Sequence, residues 1–144
     1  MTKRIIKSRK IAFLVPAYNE ETVITSTIRY LLKVAPQEDI FIIDDGSKDN
    51  TAKVAKKLVK NVLTISNGGK ANAITTGIEK FDLITNYKYI MPVDADTILS
   101  PNLPRVVEKA FKDDKSKKVV AVVCKVVGRD TSLTTSYRMW EYEI

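Results

Sequence analysis

Three observations predict an α/β fold with a mostly parallel sheet covered by helices on both faces. Short apolar runs alternate with segments of helical periodicity from end to end. The apolar runs are nearly continuous, as strands buried on both faces require. Most runs stop at a cluster of polar residues, and ligands of such sheets bind beyond the carboxyl ends of the strands.

The elements follow in order. Residues 11–15 are an apolar strand closed by Pro16. Residues 20–33 place Val23, Ile24, Ile28, Leu31 and Leu32 on one helical face, and Pro36 ends the connection. Residues 40–43 are a second strand, stopped by Asp44, Asp45, Gly46 and Ser47. A helix capped by Asp49 or Asn50 then runs to Lys60, with Val54, Ala55, Leu58 and Val59 inward. Residues 62–65 form a third strand, closed by Asn67, Gly68 and Gly69. A helix begins near Lys70 and carries Ala73, Ile74, Gly77, Ile78 and Phe81. Residues 89–93 are a fourth strand, ended by Asp94, Ala95 and Asp96. Residues 103–111 are a helix entered through Pro101 and Pro104. Residues 119–127 read as a fifth strand, and Leu133, Tyr137, Trp140 and Ile144 mark an amphipathic helix over 132–144. The 144 residues fit a single domain, with no repeat and no linker.

Composition narrows the chemistry. The chain has no histidine, which excludes His-based zinc sites and Ser-His-Asp triads. A metal would need oxygen ligands, which points to magnesium or manganese. The one cysteine, Cys124, lies in an apolar run and reads as a small buried hydrophobe. Lys and Arg number 24 against 17 acids, a net charge of +7. That charge suits a phosphorylated ligand, an anionic membrane or simply a solvated surface. No interleaving of aromatic and basic residues suggests a nucleic-acid platform. No apolar stretch reaches the length of a membrane span, and no secretory signal is visible. The expected location is the cytoplasm, with the cytoplasmic face of a membrane as a second placement.

Four polar clusters converge on one sheet edge: residues 18–20, 44–47, 67–70 and 94–96. Asp94 and Asp96 are two apart, so an extended chain presents both carboxylates on one face. Such a pair repels unless a cation lies between them. A divalent ion bridging to a diphosphate would satisfy both. The plainer reading is that Asp96 caps a turn and Asp94 takes backbone amides. Asp44 and Asp45 are acceptors suited to a base imide or a ribose hydroxyl, or else they cap a turn. Gly68, Gly69 and Lys70 offer free amides and one cation to an anion, or form a glycine turn beside a surface lysine. Tyr18 can stack on a base. Glu20 can bond the base, or complement a helix dipole.

Taken in series, Val15-Pro-Ala-Tyr-Asn-Glu20, Ile43-Asp-Asp-Gly-Ser47, Gly68-Gly-Lys-Ala-Asn-Ala73 and Val93-Asp-Ala-Asp96 resemble the family 2 glycosyltransferases of the GT-A fold. The resemblance runs over about residues 10–127 and is strongest to the processive synthases of hyaluronan, chitin, cellulose and poly-N-acetylglucosamine. It implies a nucleoside-diphosphate sugar donor, with UDP favoured, and a saccharide or lipid acceptor. It implies an inverting displacement in which the nucleoside diphosphate leaves. By resemblance, Ala17, Tyr18 and Glu20 line the nucleoside pocket. Asp45 contacts the base, Asp44 supports it, and Lys70 lies near the nucleotide. Asp94 contacts the donor, and Asp96 binds Mg2+ or Mn2+.

The family's catalytic base sits in a Gly-Glu-Asp or Thr-Glu-Asp motif, and processive members add Gln-x-x-Arg-Trp. Neither occurs in this sequence. The expectation is therefore a donor-binding half that works with a missing acceptor subdomain or a partner. A non-catalytic nucleotide-binding module is the alternative. Asp94-Ala-Asp-Thr97 also fits the nucleophile loop of haloacid-dehalogenase-like phosphatases, where the first Asp attacks phosphorus. Only 48 residues follow Asp96, too few for the rest of that active site.

Overall fold

A computed structural model of the chain describes residues 9–116 and 121–122. Four strands form one sheet: β1 (Arg9–Ala17), β2 (Ile40–Asp44), β3 (Asn61–Thr64) and β4 (Tyr87–Pro92). Their order is β3-β2-β1-β4, and every pairing is parallel. The helices are α1 (Ile24–Leu31), α2 (Thr51–Ala55), α3 (Lys70–Lys80), α4 (Leu83–Asn86) and α5 (Leu103–Asp113). The chain falls into two compact units that part between Pro104 and Arg105. The sheet and the site described below belong to the first.

Strand residues divide by parity, because successive side chains point to opposite faces. Ile11, Phe13, Val15, Ile40 and Ile42 join Ile24, Ile28 and Leu31 of α1 and Ala55 of α2 in one buried layer. Ala12, Leu14, Phe41 and Ile43 join Ala73 of α3 and Leu83 of α4 in the other. Both faces are thus covered, and all five residues of β2 are buried. This explains why the runs read as continuously apolar. At Gly77 α3 lies close against the sheet. A Cβ there would come within 2.8 Å of Ile43 and 2.9 Å of Leu14.

The order of the strands positions the site. From β1 the chain steps outward to β2 and β3, then returns through α3 to place β4 on the other side of β1. The direction of winding therefore reverses between β1 and β4. Ligands of open parallel sheets bind at such a switch point, outside the carboxyl ends of the strands.

Several boundaries differ from the sequence expectation. The helix expected over 20–33 is regular only from Ile24 to Leu31. The Glu20 amide donates to Thr51 Oγ1 at 2.8 Å and the Glu21 amide to Asp49 Oδ2 at 3.1 Å, so the entry is tied to another loop. The helix expected to reach Lys60 ends at Ala55, since the chain must turn before β3 starts at Asn61. Asp49, not Asn50, supplies the side-chain cap: its Oδ1 accepts from the Thr51 amide at 2.9 Å. β1 and β4 are longer than their apolar runs, because pairing extends to Arg9 opposite Tyr87. The short helix α4 has no counterpart in the expected order. Of the expected fifth strand only residues 121 and 122 are described, in no regular element. Cys124 and the helix expected over 132–144 lie outside the described residues.

Candidate functional site

A cavity of about 290 Å³ opens at the switch point. Its walls include Ala17, Tyr18 and Glu20 from the end of β1, Asp45 after β2, Lys70 at the start of α3, and Asp94 and Asp96 after β4. Of the residues to which the resemblance gives a role, only Asp44 is absent from the wall. It is buried behind, where its Oδ1 accepts the Ser47 amide at 3.2 Å. All four polar clusters therefore meet, although residues 18 and 96 are far apart in the chain.

Asp94 and Asp96 flank Ala95, which is buried while both carboxylates are exposed. The Ala95 carbonyl accepts the Thr27 hydroxyl of α1 at 2.5 Å. The Val93 amide continues the ladder to Leu14 O at 2.9 Å. The backbone of this motif is thus held on both sides while its acids face the cavity. Among the described residues no amide donates to either carboxylate, so Asp96 is not seen capping a turn and Asp94 is not seen taking backbone amides. Asp94 instead pairs with the ammonium of Lys70. Both partners are more than half exposed, so the pair is weak and exchangeable.

Asp45 is in a different state. Its Oδ1 accepts the Gly68 amide and its Oδ2 the Gly69 amide, each at 2.8 Å. Its own amide donates to Ala17 O at 2.9 Å, and its carbonyl accepts Asn67 Nδ2 at 3.0 Å. This corrects the expectation of free amides at residues 68–69: the anion they bind is an internal carboxylate. Gly69 adopts φ +85° and Gly46 φ +71°, conformations that glycine enters without strain. At Gly46 a Cβ would stand 2.8 Å from the Asn67 amide nitrogen, so the two loops approach backbone to backbone.

A second linkage joins the 18–21 loop to the 47–51 loop. Asn19, in the left-handed region at φ 55°, donates its amide to Ser47 Oγ at 2.9 Å and accepts the Lys48 amide on Oδ1 at 2.8 Å. Glu21 Oε2 accepts the Asn50 amide at 2.8 Å. Sequence reasoning missed Asn19, Glu21, Asp49 and Thr51 as a set. An asparagine directly after Tyr18 was the available signal, since asparagine tolerates positive φ.

Charge is concentrated here. Burial raises the Glu20 carboxyl above its ordinary value, and the negative charges of Asp96 and Asp49 add to that. Burial also pushes Asp49 upward, but hydrogen bonds from the Thr51 hydroxyl and amide and the Glu21 amide outweigh it and hold Asp49 below its ordinary value. Glu20 and Asp96 thus form an acidic wall that a cation would relieve.

The family model for glycosyl transferase family 2 matches residues 12–143. The chain is 37% identical over 118 residues to a poly-beta-1,6-N-acetyl-D-glucosamine synthase of Staphylococcus epidermidis, covering 78% of this chain and 27% of that protein. It therefore spans about a quarter of the length of the curated relatives it matches. Among solved structures, S. aureus TarS 1-349 has a TM-score of 0.61 at 21% identity, covering 73% of this chain and 33% of that one. The same protein in complex with UDP-GlcNAc has a TM-score of 0.59 and covers 73% of this chain and 32% of that one. At this identity the likeness concerns the fold, which is that of the GT-A glycosyltransferases. The family match and the identity to the synthase agree: the chain belongs to glycosyl transferase family 2.

Proposed function

We propose that the cavity binds the nucleoside diphosphate of a UDP-sugar, and that the domain is the donor-binding part of an inverting glycosyltransferase. The observation that carries this is the meeting of Tyr18, Asp45, Lys70, Asp94 and Asp96 around one opening at the β1/β4 switch point. A relative of similar fold bound to UDP-GlcNAc supports uridine, as do relatives that polymerise N-acetylglucosamine. Family membership supports reading the Asp94–Thr97 string as a donor-site motif over a phosphatase nucleophile loop.

The parts have separate tasks. Tyr18 is 44% exposed at the cavity, a free ring face for a base. Each Asp45 oxygen accepts one amide and keeps a further lone pair, enough for a base imide N–H. Asp44 holds the loop that carries Asp45. Lys70 is the cation of the wall and suits the diphosphate.

The residues fit a divalent metal shared with the donor. Asp94 and Asp96 offer hard oxygen ligands on one face, which suits Mg2+ or Mn2+. Among the described residues no group of three or more acidic, cysteine or histidine side chains forms a complete cage. The pair therefore needs ligand oxygens to complete a coordination shell, and a diphosphate has them. Such an ion supplies neutralisation of the charge that develops on the leaving diphosphate.

The sequence contains no Glu-Asp base motif after Asp96. We assign donor binding to this chain. The acceptor is a saccharide or lipid. We propose a cytoplasmic placement, including the cytoplasmic face of a membrane. No helix among the described residues is long and apolar enough to cross a membrane.

Calorimetry of UDP binding in excess Mn2+ tests the reading. Asp96→Ala is expected to weaken UDP at least about tenfold, given that even outer-shell changes at metal sites cost that much. Unchanged affinity in the variant removes Asp96 from the donor site.

A further inference from the structure

Among the described residues the cavity wall holds four carboxylates, on Glu20, Asp45, Asp94 and Asp96, against the single ammonium of Lys70. These acids are not equivalent. Asp45 is satisfied by two amides. Glu20 and Asp96 face one another's charge. Among the described residues Asp94 alone of the four has a cationic partner, and that partner is accessible: Lys70 is the first residue of α3 and its side chain is 59% exposed.

We infer that Lys70 is the resident counter-ion of Asp94 in the free protein, and that it transfers to the diphosphate when a divalent cation takes Asp94. This rests on the donor-site reading above. The physics is an exchange of partners. A metal alone must displace the ammonium from Asp94, leaving two cations side by side. A metal arriving with a nucleoside diphosphate supplies new anionic oxygens for the displaced ammonium. Metal and nucleotide therefore bind cooperatively, and each raises the affinity for the other by the same factor. Lys70 disfavours the metal alone and favours the metal–nucleotide pair.

The opposite signs make the test specific. Mn2+ binding to the full chain without nucleotide is read from the paramagnetic resonance of the free ion. UDP binding at saturating Mn2+ is read by calorimetry. Lys70→Met is expected to tighten Mn2+ alone about three- to fivefold, the scale of an exposed ion pair. The same variant is expected to weaken UDP about tenfold, the scale of a lost charged hydrogen bond. Lys70→Arg keeps the counter-ion and is expected to match wild type in the Mn2+ titration. Both affinities moving in one direction, or Mn2+ affinity unchanged in Lys70→Met, overturns the exchange while leaving the donor site standing. Wild-type chain that binds no UDP in excess Mn2+ overturns the donor-site reading and the exchange together.

Discussion

Asp45 follows the fully buried β2 and Asp94 the partly exposed β4, and both reach the same cavity, yet their surroundings are opposite. Asp45 is 4% exposed, and each of its oxygens accepts a glycine amide from a loop 23 or 24 residues away. Asp94 is exposed and pairs with one exposed lysine. The first carboxylate holds two loops together, and its remaining lone pairs are aimed by that arrangement. The second is held only through its backbone, which leaves its charge for a ligand. Strand-end aspartates thus divide into those that build a site and those that serve it. What separates them is whether a backbone amide reaches the carboxylate.

Substitution can break this contrast. The largest effect on stability is expected at Asp45. Asp45→Ala strips the Gly68 and Gly69 amides of their acceptor and lowers stability by about 2–3 kcal/mol, seen as a fall in Tm. Asp96→Ala is expected to change stability by less than about 0.5 kcal/mol while it weakens UDP in excess Mn2+. Equal melting of the two variants would erase the distinction between building and serving acids.

The smallest effect sharpens the picture of the 18–21 and 47–51 linkage. Asp49 sits below its ordinary value of 3.8 in the folded chain, so it contributes stability that is present above that value. The contribution is lost as pH falls below 3.8 through the folded value. Asp49→Asn is therefore expected to lower Tm at neutral pH, with a deficit that shrinks in acid below 3.8. A deficit that stays constant across that window would show that the charge of Asp49 is not what matters.

Much of the sheet was legible because parity and continuous apolarity are local signals. Ile11 to Val15 and Ile40 to Ile43 fall where expected, and the spacing of Asp94 and Asp96 does put both on the cavity. What was not legible is long-range. Nothing local says that the amides of Gly68 and Gly69 answer Asp45, or that Lys70 answers Asp94. The length of α2 was overread for the same reason: Leu58 and Val59 continue the apolar spacing, but β3 must begin at Asn61. Local periodicity reports which face is buried, and tertiary connections decide where an element stops.

The most direct measurement is the affinity of the wild-type chain for UDP by calorimetry, once in excess Mn2+ and once with the metal chelated. Binding is expected to be strong with Mn2+ and at least about tenfold weaker without it. Equal affinity in both conditions would contradict a metal held between Asp94, Asp96 and the diphosphate.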